Sequence, residues 1–161
     1  MQKTLNDWIE EFYPIKACDV KGGNKELLEH SLKKWKGATE ENTEAYNCTY
    51  IDYRIVANPH LWYDEESFSF GFNTCALCQV HKYEVSDMCW AVATESDWIR
   101  NFPFPLQTPP IRYDCDNCII VLSGNPSCPT EDSAYAKSKN DPSPMIALLE
   151  KLLQETNENQ P

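Results

Sequence analysis

Apolar residues recur at helical spacing at both ends of the chain and switch to alternation between them. Near the start, Leu5, Trp8, Ile9 and Phe12 share one face of a short helix. Thr4 is placed to cap it, Asp7 can reach back to the cap, and Tyr13-Pro14 ends it. After a Gly22-Gly23 turn, Asn24 is expected to cap a second helix with Leu27, Leu28, Leu32 and Trp35 inward and Gly37 at its stop. Lys33, Lys34 and Lys36 fall in its last turns, where the macrodipole favours positive charge, and His30 is expected at its surface or boundary. A third, shorter helix is predicted from Thr39 through Ala45.

The period then changes. "CTYIDYRIV" (Cys48 to Val56) is rich in aromatic and β-branched residues, and "SFSFGF" (Ser67 to Phe72) alternates with Phe68, Phe70 and Phe72 on one side. Both read as strands, with "NPHLWYDEE" as the long connection of a hairpin. The four prolines of "SDWIRNFPFPLQTPPI" (Ser96 to Ile111) predict an extended loop. Helical spacing returns in "SPMIALLEKLLQE", with Ser143 as cap, Pro144 at the first helical position, and Met145, Leu148, Leu149 and Leu152, flanked by Ile146 and Leu153, as a wide apolar stripe. That stripe is expected to pack on this chain's own core. The pattern therefore predicts an α+β fold: a helix-rich single domain over 1–154 with a small antiparallel β-hairpin and a structural metal site. Within it, 1–46 is helical, 47–130 holds the strands and the metal, 143–154 is the closing helix, and 155–161 is a disordered tail.

Composition narrows the function classes. With 161 residues, 42% of them hydrophobic, the chain is long enough to bury a core, and its net charge of −11 does not reach what disorder requires. That charge repels phosphate backbones, so direct nucleic-acid binding is not expected, whereas a basic protein surface would be attracted. No run approaches the ~18 apolar residues of a membrane span, and Asp7, Glu10 and Glu11 interrupt the start where a signal peptide needs apolar residues. The expected setting is a reducing cytoplasm, or a virion assembled there, in which eight cysteines read as metal ligands or free thiols before disulfides.

The cysteines are ordered. Cys75 and Cys78 form one CxxC, Cys115 and Cys118 a second, and Cys128 follows in "GNPSC". Two CxxC pairs supply four thiolates, the number a tetrahedral structural zinc takes. The gap between the pairs exceeds the roughly 15–20 residues of a compact zinc ribbon, so either the Pro-rich segment is looped out or the ligand set differs, with Cys128 or His81 as substitute. One zinc ion is the expected cofactor; an iron–sulfur cluster is the other group thiolates serve. Cys18, Cys48 and Cys89 read as small buried residues.

The ordered set "LNDWIEEFYPI", "LLEHSLKKWKG", "TCALC", "CDNC", "GNPSC", "SAY" and "DPSPMIALLEKLL" resembles a group of small proteins of bacteriophages and prophages with no assigned activity. In that group a helical front end precedes a CxxC, a second CxxC usually followed by proline, one further cysteine, an aromatic residue and a closing amphipathic helix. Here Ile119 stands in place of the proline, and the span between pairs is longer than usual. The resemblance implies that Cys75, Cys78, Cys115, Cys118 and Cys128 belong to one site, with Tyr135 packing nearby.

Three functional readings follow. The first is a non-enzymatic phage accessory protein in the host cytoplasm: an acidic, zinc-stabilised domain that binds a host protein as a counter-defence factor or inhibitor. One form of it is nucleic-acid mimicry by Asp64, Glu65, Glu66, Asp114 and Asp116. The second is a metal-dependent hydrolase or nuclease, for which His60 and His81 are the available histidines beside His30, none in a His-x-x-x-His or His-Glu arrangement. The third is thiol redox chemistry, which normally places a CxxC at the start of a helix after a strand in a parallel-sheet context. The order of elements here, helices first and an antiparallel segment next, weighs against it.

Overall fold

The computed structural model describes residues 3–57, 67–84 and 111–158. The segments carrying His60, Asp64, Glu65, Glu66 and Cys89, and the Pro-rich stretch before Ile111, lie outside the described residues. α1 (Leu5–Phe12) starts on a reciprocal cap. The Asp7 amide donates to Thr4 Oγ1 at 3.4 Å, and the Asp7 carboxylate accepts from the Thr4 amide at 2.7 Å.

α2 (Asn24–Lys36) takes Gly23, not Asn24, as its N-cap, because the Gly23 amide donates to the Glu26 carboxylate at 2.8 Å and so closes the first turn. Gly22 reaches that turn at φ 128°, a conformation glycine adopts freely. The other end of α2 is set by packing. A Cβ on Gly37 would lie 2.5 Å from Phe12 and 2.8 Å from Trp8, and the Gly37 carbonyl accepts from the Trp8 indole at 2.8 Å. Gly37→Ala is therefore expected to cost about 1–3 kcal/mol through overpacking, read as a lower urea midpoint at unchanged slope.

α3 (Glu40–Ala45) leads into the sheet. Cys48 to Val56 is not one strand but two. β1 (Cys48–Ile51) and β2 (Arg54–Ala57) pair antiparallel in the register Tyr50↔Ile55, joined by Asp52 and Tyr53 at φ 49° and 59°. Positive φ at both central residues is the turn that matches strand twist. Tyr53 holds that backbone because its ring stacks on Tyr135 at 4.7 Å and its hydroxyl donates to the Ala136 carbonyl at 3.0 Å. β3 (Ser67–Ser69) then adds to β2 with Ile55↔Phe68, giving a three-stranded sheet in the order β1-β2-β3 in place of the expected hairpin. The strand ends at Ser69 and the alternation at Phe70. Phe68 and Phe70 are buried, whereas Phe72 opens a 3₁₀ turn (Phe72–Thr74) and is 40% exposed.

α4 (Ala76–Val80), β4 (Lys82–Glu84), β5 (Ile111–Tyr113), α5 (Ile119–Leu122) and α6 (Ala134–Lys137) follow. α7 (Ser143–Glu158) includes Ser143, whose amide donates to the Asp141 carboxylate at 2.9 Å, so the aspartate organises the start that the serine was expected to cap. It continues past residue 154 to Glu158, with the Thr156 hydroxyl donating back to the Leu152 carbonyl at 2.8 Å. Met145, Leu149 and Leu152 are buried, and α7 lies along α2, so the stripe faces the chain's own core. Beneath it an aromatic cluster joins helices to sheet, with Trp35 4.7 Å from Phe70 and Trp8 5.2 Å from Phe68. The fold is a helix-rich α+β arrangement. Among the described residues no helix is long and apolar enough to cross a membrane.

Candidate metal centre

Each CxxC is built on a helix start. The 3₁₀ turn after β3 delivers Cys75 as the N-cap of α4, its carbonyl accepting from the Gln79 amide at 3.0 Å, and Cys78 stands in the first turn of that helix. In the second pair, Cys115 opens a 3₁₀ turn (Cys115–Asn117) and Cys118 is the N-cap of α5, its carbonyl accepting from the Leu122 amide at 3.0 Å. What joins the pairs is the β4–β5 ladder. Its register runs Lys82↔Tyr113 to Glu84↔Ile111, and the Asp114 amide donates to the His81 carbonyl at 2.8 Å. The two strands therefore close the base of the long intervening segment, and a separation too large for a compact ribbon in sequence becomes a short one in space.

Cys128 is brought in by α6. Ser133 caps that helix by accepting from the Ala136 amide at 3.0 Å, and the same hydroxyl donates to the Cys128 carbonyl at 2.8 Å. Cys78, Cys115, Cys118 and Cys128 line one cavity of about 10 Å³, together with His81 and Asp114. Cys75, Cys78 and Cys128 line a second of about 20 Å³, together with Tyr135. Leu77, Cys78, Ile120 and Cys128 are common to both. All five predicted cysteines thus gather at one place. They do not form a closed ligand shell: among the described residues, no three His, Cys, Asp or Glu side chains are disposed to hold one ion as they stand.

The thiols are not equivalent. The Cys78 thiol hydrogen-bonds to Cys75; this holds Cys75 below the ordinary thiol range, helped by the positive charge of Lys34 and the amides of Leu77 and Cys78, and pushes Cys78 up. Burial raises Cys118 to about 11 and Cys128 to about 12. Cys75 caps a helix reached from a strand, as a reactive CxxC does, but the sheets among the described residues are antiparallel, as the order of elements implied. The other cysteines separate cleanly. Cys48 is buried as expected, with its thiol donating to the Tyr46 carbonyl at 3.3 Å, whereas Cys18 is exposed. His30 is placed against the Ile15 carbonyl at 2.7 Å. Of the proposed phosphate mimics that are described, Asp116 is exposed, while Asp114 accepts from the Asn117 amide group and lines the thiol cavity.

Two residues of this region escaped the sequence reading. Lys34, assigned there to macrodipole compensation, is only 1% exposed; its ammonium donates to the Thr74 carbonyl at 2.7 Å and lies 5.1 Å from the centre of the Phe70 ring. Burial lowers its pKa, and the neighbouring Cys75, Cys78 and Cys128 oppose that shift. Ser31, equally buried, has a hydroxyl with no hydrogen-bond partner among the described residues. The missed signal is positional: Leu27, Ser31 and Lys34 recur at four and three residues, which is the inward stripe of α2.

Tyr135, implied by the resemblance to pack near the thiols, lines the larger cavity and donates to the Phe70 carbonyl at 2.9 Å. Fold and site together define a helix-rich α+β domain with a cluster of five cysteines between two helix starts and the turn before α6. No protein-family model, curated protein or solved structure matches the chain.

Proposed function

We propose that this chain is a zinc-stabilised binding module, a non-enzymatic accessory protein of a bacteriophage or prophage that acts on a host protein through its acidic surface. The observation that carries the metal part is the convergence of Cys75, Cys78, Cys115, Cys118 and Cys128 on adjoining cavities of about 10 and 20 Å³. An iron–sulfur cluster is the other group that thiolates serve, and the colour and metal content of the purified protein separate the two. The donors are soft thiols, which zinc accepts in a structural, four-ligand site. The binding part is supported by the charge of −11 and by the phage-like order of motifs. Metal analysis of anaerobically purified protein should give one colourless zinc per chain. Pull-down from bacterial lysate should then recover a partner whose binding weakens steeply with salt. Recovery of no partner above background from several hosts would count against the binding role.

A second reading, thiol redox chemistry, is favoured by one observation: the lowered Cys75 thiol at the start of α4, hydrogen-bonded to Cys78. Catalytic disulfide reduction by metal-free protein, abolished by Cys75→Ser, would put that reading first.

A further inference from the structure

α2 presents two buried polar groups to the thiol cluster: a hydroxyl with no hydrogen-bond partner and an ammonium with no counter-charge among the described residues. Ser31 and Lys34 line the same cavity as Cys75, Cys78 and Cys128. The Ser31 hydroxyl has no partner among the described residues, and no carboxylate among them pairs with Lys34, whose hydrogen bonds go to the Thr74 carbonyl and, at 3.5 Å, the Thr74 hydroxyl. A buried hydroxyl with no partner and a buried ammonium with no counter-charge are both costly, and an apolar residue at either position would fill the core more cheaply. Their cost is offset if the space beside them carries negative charge. Four thiolates around a divalent ion leave the centre doubly negative, and a sulfur ligand in such a centre accepts hydrogen bonds through its spare lone pairs.

We propose that Ser31 and Lys34 are positioning residues of an anionic, all-thiolate metal centre, the Lys34 ammonium balancing its charge and the Ser31 hydroxyl donating to a thiolate sulfur. This rests on the zinc reading above and makes it more specific, because a doubly negative centre needs four cysteines and leaves His81 out of the ligand set. When the ion binds, the thiol protons leave to solvent and the ammonium stays.

The test is competition between the reduced, zinc-loaded protein and a chromophoric chelator at fixed pH, for the wild type, Ser31→Ala and Lys34→Met. Partners beyond the ligands typically set metal affinity by 10- to 100-fold, so Lys34→Met is expected to weaken zinc binding by about that factor and Ser31→Ala by about tenfold. Cobalt(II) in place of zinc adds a readout that lost packing would not move. Removing a hydrogen bond from sulfur raises its donor level, so Ser31→Ala should shift the thiolate-to-cobalt absorption to lower energy. A wild type that binds one zinc per chain, with both variants within twofold of its affinity and an unshifted cobalt spectrum, would overturn the inference and leave the zinc reading standing. A wild type that binds no metal would overturn both. If Lys34→Met does not fold, Ser31→Ala, which removes one oxygen atom, decides alone.

Discussion

Cys78→Ser should strip the zinc and unfold the surrounding half of the chain in one step. Cys78 is the thiol to change first because it lines both cavities and interacts with Cys75, Cys118 and Cys128. An ion that binds only the folded state stabilises it by about 4 kcal/mol at a thousandfold excess over its dissociation constant, so the variant should lose at least that much relative to zinc-loaded wild type. Chelation provides the matching arm of the cycle: it should lower the wild-type midpoint by the same amount and leave Cys78→Ser where it is. Cys18→Ser is the control, since that thiol is exposed and lines neither thiol cavity, and it should move stability by less than about 0.5 kcal/mol. Extending the series to Cys75, Cys115, Cys118 and Cys128 assigns the ligands, because four serine variants should lose the ion and the fifth keep it. A Cys78→Ser protein with full zinc content would refute the site.

Where the sequence was legible, the signal was local and repeated. The Thr4–Asp7 cap, the inward face of α2 and the stripe of α7 are each a short-range pattern in which several residues agree. The turn at Asp52-Tyr53 was not legible, because it lacks the Asn-Gly or Asp-Gly pair that marks such turns; its backbone is held instead by a ring stacked across the fold on Tyr135. The β4–β5 ladder escaped for another reason. Three-residue strands carry too few positions for a period, and their pairing is a fact about residues far apart in the chain. The two CxxC pairs could be read from spacing, with Cys128 as a substitute, but the buried Ser31 and Lys34 beside them could not. Lys34 looks like any lysine near a helix C-terminus until its position is counted against Leu27 and Ser31.

Trp8→Ala should be the most damaging change away from the cysteines, and it should leave the metal stoichiometry alone. Trp8 is fully buried, its ring lies 5.5 Å from Phe12 and 5.2 Å from Phe68, and its indole donates to the Gly37 carbonyl at 2.8 Å. Truncating a buried tryptophan costs about 3–5 kcal/mol, and the orphaned Gly37 carbonyl adds about 1 kcal/mol where water cannot replace the indole. Domains of this size have about 5–15 kcal/mol in hand, so the variant should sit near the edge of folding at 37 °C. Trp8→Phe separates the two contributions: it keeps a ring in the cluster and loses the hydrogen bond and some volume, for an expected loss of about 1–3 kcal/mol. Urea titration at saturating zinc measures both losses, and metal analysis of the folded fraction should still read one ion per chain. The split is expected because Trp8, Phe12, Phe68 and Gly37 line neither thiol cavity, whereas Ser31 and Lys34 line one of them. A loss below about 1 kcal/mol for Trp8→Ala would mean that α1 is dispensable to the core, and zinc lost in step with stability would mean that the two regions fold as one.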